Sequence, residues 1–77
     1  MSLTPAQCRA ARALIEWSRE ELAASAGVAV RTISDFEAGR REPIKATMAA
    51  MRGALEAAGV IFVDENGEGP GVRLRKR

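Results

Sequence analysis

Polar side chains able to bind a ligand are concentrated in the segment GVAVRTISDFEAGRR, residues 27–41. Arg31, Ser34 and Asp35 are three and four residues apart, so on a helix they share one outward face while the apolar residues between them face inward. A guanidinium donates paired hydrogen bonds, and a carboxylate accepts them. The segment therefore predicts a recognition surface. Glu37 falls on the side that should be apolar, so its carboxylate needs a partner.

The composition excludes several kinds of chemistry. The 77-residue chain contains no histidine, which excludes histidine-dependent catalysis, and its single cysteine excludes an internal disulfide or a cysteine-based zinc site. We expect Cys8 to be a buried thiol. Since no other catalytic or metal-ligating pattern is present, we predict that the protein is not an enzyme and uses no cofactor, metal or small-molecule ligand.

Length and charge indicate one small domain. Apolar residues make up 47% of the chain, many of them alanine, and aromatic residues only 4%, which favours packed helices. The formal charge of +2 is only mildly basic. No apolar run approaches the roughly 20 residues that cross a membrane, and no signal peptide is recognisable, so a cytoplasmic protein is expected.

Two capping boxes predict the starts of the first helices. Thr4 pairs with Gln7 before the first helix, and Ser18 pairs with Glu21 before a second helix that ends at Gly27. Helical spacing predicts that the first helix buries Cys8, Ala11, Leu14 and Ile15.

Two further helices are predicted, over residues 30–38 and from Pro43 to about Gly59. Gly53 lies inside the last helix, where the close approach of another helix would be one reason for a glycine. The inward stripe of this helix is predicted to contain Ile44, Met48, Met51, Leu55 and Ala58.

The pattern changes at residue 60, where two β-rich runs flank the glycine-rich stretch DENGEGPG. The fold predicted is mainly α: a compact four-helix domain over residues 1–59, followed by a C-terminal β-hairpin and basic tail over residues 60–77. A two-stranded hairpin is marginal alone and must pack on another surface.

The second and third helices, joined by a tight turn, form a helix-turn-helix whose core is predicted at Leu22, Ala23, Ile33 and Phe36. In the stretch WSREELAASAGVAVRTISDFEAGRREP, the sequence resembles the lambda-repressor-like (Cro/Xre-type) DNA-binding family. The resemblance covers about residues 5–58 and implies double-stranded DNA as the partner.

The resemblance implies that the second helix of the motif enters the major groove and reads base edges. Arg31 is the strongest candidate, because its guanidinium can bond guanine O6 and N7 together. Asp35 would either orient Arg31 or accept from a cytosine amino group, Val30 would contact a thymine methyl, and Ser34 is permissive. The alternative for Arg31 and Asp35 is an ordinary solvated ion pair.

Phosphate contacts are implied at hydroxyls and cations around this helix. The predicted set is Ser18, Arg19, Thr32, Arg40, Arg41 and Lys45. Arg40 and Arg41 have an alternative role, interaction with the helix dipole.

Two further positions follow from the resemblance. Glu37 matches a glutamate that pairs with an arginine of the first helix, and the matching arginine here is Arg12. Ala29 stands where the family usually has serine or threonine, so the recognition helix forgoes about 1 kcal/mol of capping.

We therefore expect a sequence-specific transcriptional regulator, a repressor rather than an activator, bound to a pseudo-palindromic operator. The alternative is a protein-interaction module, such as an antitoxin or antiactivator, that uses the same fold. A homodimer is expected through the hairpin, at Ile61, Phe62, Val63, Val72 and Leu74, against the alternative of a monomeric flap over the fourth helix. Tail residues Arg73, Arg75, Lys76 and Arg77 would add DNA contacts or remain solvated.

Overall fold

Helices occupy most of the structure, a computed structural model that describes residues 3–76. In chain order, the elements are α1 (Pro5–Leu14), α2 (Arg19–Ala26), α3 (Val30–Glu37), α4 (Lys45–Ala57), β1 (Val60–Val63) and β2 (Gly71–Leu74). The prediction of a mainly helical four-helix domain with a C-terminal hairpin is confirmed. Arg77 of the predicted tail lies outside the described residues.

Both predicted capping boxes are formed. Oγ1 of Thr4 accepts the N–H of Gln7 at 3.0 Å, and Oε1 of Gln7 accepts the N–H of Thr4 at 3.0 Å. Ser18 and Glu21 exchange the same pair of bonds, at 3.0 and 2.9 Å. Because each box satisfies backbone donors that the first turn of a helix leaves free, α1 and α2 begin at the predicted residues.

The ends of α1 and α3 have a left-handed residue after the helix. After α3 this residue is Gly39, at a φ of 75°. Its N–H bonds to the carbonyl of Phe36 at 2.9 Å, and the N–H of Arg40 bonds to that of Asp35 at 2.8 Å, which together form a Schellman turn. After α1 the equivalent position holds Glu16, at a φ of 57°, where an L side chain is disfavoured.

A single core joins the helices to the hairpin. It contains Leu3, Cys8, Ala11, Leu22, Ala23, Ile33, Phe36, Met51, Leu55, Val60 and Phe62. The four predicted motif positions and the thiol are therefore buried as expected.

Two predictions about the helix faces are wrong. Leu14 is 38% exposed. The buried face of α1 contains Gln7, Cys8 and Ala11, and Leu14, the last residue of the helix, lies outside that face. Ile44 is 74% exposed, because α4 begins after it rather than at Pro43, and helical spacing does not apply there. The sequence left the reason for Gly53 open; a Cβ added there would meet nothing within 4 Å among residues 3–76, so the close approach of another helix does not explain this glycine.

The hairpin packs its inner face on the helices. The strands are antiparallel, with Val60 opposite Leu74 and Phe62 opposite Val72, so these four side chains share one face. Val60 and Phe62 are buried, and Val72 packs against the core. Phe62 and Val72, which are predicted as dimer contacts, both lie on this inner face. The outer face carries Ile61, which is 38% exposed.

Two polar residues attach the hairpin to the helices, a role that the sequence did not predict for them. Besides its role in the capping box, Gln7 donates through Nε2 to the carbonyls of Gly71 at 3.0 Å and Val63 at 3.3 Å. Arg52 of α4 is buried; its guanidinium lies 4.7 Å from the centroid of the Phe62 ring and 3.5 Å from Oδ1 of Asp64. These contacts secure the end of β1 and the start of β2.

Candidate nucleic-acid interface

The outer face of α3 presents the side chains predicted to contact bases. Arg31 is the most open, with 90% of its side chain exposed, and Val30 at the first position is 37% exposed. Ser34 and Asp35 are partly buried one turn later. An arginine, a hydroxyl, a carboxylate and an apolar group thus share one convex surface, which suits the edges of base pairs better than a small molecule.

Asp35 is bound mainly by a residue outside the helix. Its Oδ1 accepts hydrogen bonds from Nε of Arg40 at 3.2 Å and lies 3.1 Å from Nη2 of the same residue. Nε of Arg31 is farther away, 3.8 Å from Oδ2. The predicted pair of Arg31 and Asp35 is present but loose, and Arg40, predicted as a phosphate contact, is directed toward the recognition helix.

Glu37 is the centre of a buried polar cluster that joins three helices. Its side chain is only 1% exposed. Arg12 donates to both carboxylate oxygens, through Nε and Nη2, each at 2.7 Å. Oε2 also accepts from Sγ of Cys8 at 3.1 Å, and Oε1 from Nε of Arg19 at 3.3 Å. The structure therefore brings Arg12 and Glu37 together in the bidentate geometry that stabilises a desolvated carboxylate.

The cluster shifts the pKa values of its members in directions set by these contacts. Burial alone would raise the pKa of Glu37, but hydrogen bonds from Arg12, Cys8 and Arg19 outweigh it, so the pKa is lowered. The hydrogen bond with Glu37 raises the pKa of Arg12. Burial, followed by the bond to Glu37, raises the pKa of the Cys8 thiol, which is therefore a neutral donor. The ion pair is maintained at neutral pH.

Glu37 also determines where Arg19 and the end of α3 lie. Arg19 is the first residue of α2 and half of its side chain is exposed, so one edge of its guanidinium meets Glu37 while the rest faces solvent. Arg9 donates to the main-chain carbonyl of Glu37. Arg9 and the Cys8 thiol were not predicted as partners of Glu37, although the spacing of Cys8, Arg9 and Arg12 on one helix was a signal for them.

The remaining predicted phosphate-binding residues lie at the start of α2, in α3 and in the segment that leads into α4. Ser18 caps α2, Thr32 lies in the first turn of α3, and Arg41 and Lys45 are exposed between α3 and the start of α4. Ala29 precedes α3 with no side-chain hydrogen bond at the cap, as its residue type predicts. Among residues 3–76, none of the helices has the length and hydropathy that a membrane crossing requires.

The sequence matches a known protein family. The helix-turn-helix family model matches residues 9–56, which is more than half of the chain and extends from α1 into α4. No curated protein matches the sequence.

Proposed function

Because the chain belongs to the lambda-repressor-like (Cro/Xre-type) helix-turn-helix family of DNA-binding regulators, we propose that it represses transcription by binding a pseudo-palindromic operator as a homodimer. It acts in the cytoplasm, on the nucleoid, without enzymatic activity, cofactor or small-molecule ligand. The observation that carries the proposal is the outer face of α3, where Arg31 extends from the first helical turn with 90% of its side chain exposed. In this fold, the N-terminal part of that helix meets the base edges.

The buried cluster supports this function because it holds the recognition helix rigidly. Glu37, the last residue of α3, is bound to side chains of α1 and α2. A base contact gains specificity only if its helix does not move relative to the phosphate contacts. In the proposed complex, Val30, Arg31 and Ser34 meet base edges.

Phosphate contacts come from the surroundings of that helix. The proposed set contains Ser18, Arg19, Thr32, Arg41 and Lys45. Arg19 is well suited, since its Nε is engaged by Glu37 and its outer nitrogens remain toward solvent. Each phosphate neutralised by a cation adds about 0.9 to the slope of log affinity against log salt.

The decisive experiment selects bound sites from random double-stranded DNA and then measures affinity as a function of salt. We expect a two-fold related consensus and a linear decrease of log affinity with log salt. Arg31→Ala should lower affinity for the selected site roughly 5- to 150-fold while affinity for random DNA changes little. If no sequence is enriched and binding lacks salt dependence, the chain is instead a protein-interaction module, an alternative that the uncapped start of α3 favours.

The proposed dimer uses the outer face of the hairpin. Leu74 at the end of β2 is 44% exposed on the inner face, and the outer face holds Ile61, which is 38% exposed, and the half-buried Val63. A second hairpin packed here would cover these groups, and two recognition helices roughly 34 Å apart would match successive major grooves.

The dimer is tested by light scattering on the full chain, because removing the hairpin would take Val60 and Phe62 out of the core. Ile61→Glu should give a monomer at tens of micromolar, while wild type is a dimer. Leu14→Glu is the matched control, since Leu14 has the same 38% exposure on α1. If wild type is already monomeric, the hairpin face is not a dimer contact.

A further inference from the structure

Arg40 is attached to Asp35 through both its backbone and its side chain. The Schellman turn at Gly39 returns the chain so that the N–H of Arg40 bonds to the carbonyl of Asp35 at 2.8 Å. The guanidinium then reaches Oδ1 of the same residue with Nε at 3.2 Å and Nη2 at 3.1 Å. This turn often carries an apolar contact between the two positions, and here an ion pair replaces it.

The carboxylate of Asp35 lies between two cations. Arg40 occupies Oδ1, and Nε of Arg31 lies 3.8 Å from Oδ2. Only 22% of the Asp35 side chain is exposed, against 90% of Arg31 and 66% of Arg40. A cytosine amino group would therefore have to displace an arginine to reach Asp35. The negative charge of Asp35, which alone would repel phosphates, is compensated by Arg40.

From this arrangement, and on the basis of the DNA-binding function proposed above, we infer that Arg40 is a positioning residue for base recognition rather than a phosphate contact. Arg40 holds Asp35 in place, and Oδ2 of Asp35 draws the Nε edge of Arg31 toward the helix. The terminal nitrogens of Arg31 then remain for paired acceptors such as guanine O6 and N7. Base selectivity at the position read by Arg31 thus depends on a residue that touches no base.

The test uses the full chain and the operator obtained by selection from random DNA. Affinity is measured for that operator, for each of its single-base variants and for random DNA, over a range of salt concentrations. Arg41→Ala is the matched control, because Arg41 is the neighbouring exposed arginine and makes no ion pair within residues 3–76. Thermal unfolding of each variant monitors the fold.

For Arg40→Ala, we expect the preference at the base pair read by Arg31 to decrease by about twofold, the magnitude of one exposed ion pair. Preferences at other positions and the salt slope should stay at their wild-type values. Arg41→Ala should instead weaken binding to operator and random DNA alike, and its slope should decrease by about 0.9. Asp35→Asn should lose preference at the same base pair, and adding Arg40→Ala to it should cause no further loss.

Arg40→Lys separates the two roles. Lysine keeps the charge that a phosphate needs but cannot offer Asp35 two nitrogens in a fixed fork, so we expect the preference at the Arg31 position to remain low. The inference is overturned if Arg40→Lys restores full preference, if Arg40→Ala behaves like Arg41→Ala, or if Arg40→Ala lowers preference evenly at every position. All of these outcomes leave the proposed function standing. Failure of the wild-type protein to enrich any site would instead refute the proposed function and the inference with it.

Discussion

Replacing Arg12 with alanine is expected to destabilise the protein by about 3 kcal/mol. The side chain of Glu37 is 1% exposed and would lose its two shortest hydrogen bonds, both of 2.7 Å. Breaking a buried ion pair costs about 3–5 kcal/mol. The lower value applies, because Cys8 at 3.1 Å and Arg19 at 3.3 Å would still donate to the carboxylate. A domain of this size has a total stability of only about 4–12 kcal/mol, so the effect is large.

The assay is urea unfolding followed by circular dichroism and by the fluorescence of Trp17, applied to a double-mutant cycle of Arg12→Ala and Glu37→Ala. We expect a coupling free energy of about 2 kcal/mol or more, since each single variant leaves a desolvated group behind. Arg31 and Asp35 supply the control cycle: their 3.8 Å pair is exposed on the arginine side, and its coupling should stay below about 0.5 kcal/mol. Equal coupling in the two cycles would refute the reasoning.

The same cluster predicts how stability depends on pH. Because the pKa of Glu37 is lowered by folding, its contribution is present above the unfolded value of about 4.3 and is lost as the pH falls through the folded pKa. The pKa of Cys8 is raised by folding, so stability decreases as the pH rises above about 8.5, where the unfolded thiol ionises. The Arg12→Ala variant should lose stability less steeply in acid than wild type, as measured by unfolding from pH 2 to 6.

Three further substitutions, two of them with a matched control, test the local structure by urea unfolding. Gln7→Glu keeps the capping box but removes the donor to two hairpin carbonyls, so we expect the free energy of unfolding to decrease by about 1–3 kcal/mol. Amide exchange should become faster in the hairpin than in α1, and equal exchange in both would contradict the role of Gln7 in attaching the hairpin. Glu16→Gly relieves the left-handed φ of 57° and should stabilise by about 0.5–1 kcal/mol, whereas Glu20→Gly, inside α2, should destabilise by about 1 kcal/mol. Ala29→Ser should stabilise the protein by about 1 kcal/mol, and Ser18→Ala should destabilise it by a similar amount. If both variants changed the stability in the same direction, helix capping would not be the cause.

Features that depend on neighbouring residues could be predicted from the sequence alone. The capping pairs Thr4–Gln7 and Ser18–Glu21 lie within one helical turn, so their residue types are sufficient to place the starts of α1 and α2. Gly39 likewise ends α3 because only a few backbone groups beside it are involved. The helix-turn-helix was predictable for the same reason, since its core positions repeat at fixed short spacings.

The candidate interface was predictable in part. The sequence identified the outward residues of α3, but it paired Asp35 with Arg31 and assigned Arg40 to phosphate. The structure pairs Asp35 more closely with Arg40, because the left-handed turn at Gly39 directs the following residue back over the helix. That outcome depends on side-chain reach across a turn, which helical spacing does not describe.

The buried faces of the helices and the contacts of the polar groups in the core depend on how the whole chain packs. Leu14 and Ile44 fit an apolar stripe, yet no helix or strand within residues 3–76 fully covers them. The capping role of Gln7 was predicted from the sequence. Its hydrogen bonds to Val63 and Gly71, which span 56 and 64 residues of sequence, were not. Burial of a side chain is set by the element packed against it, and partners that far apart meet only once the whole chain has folded.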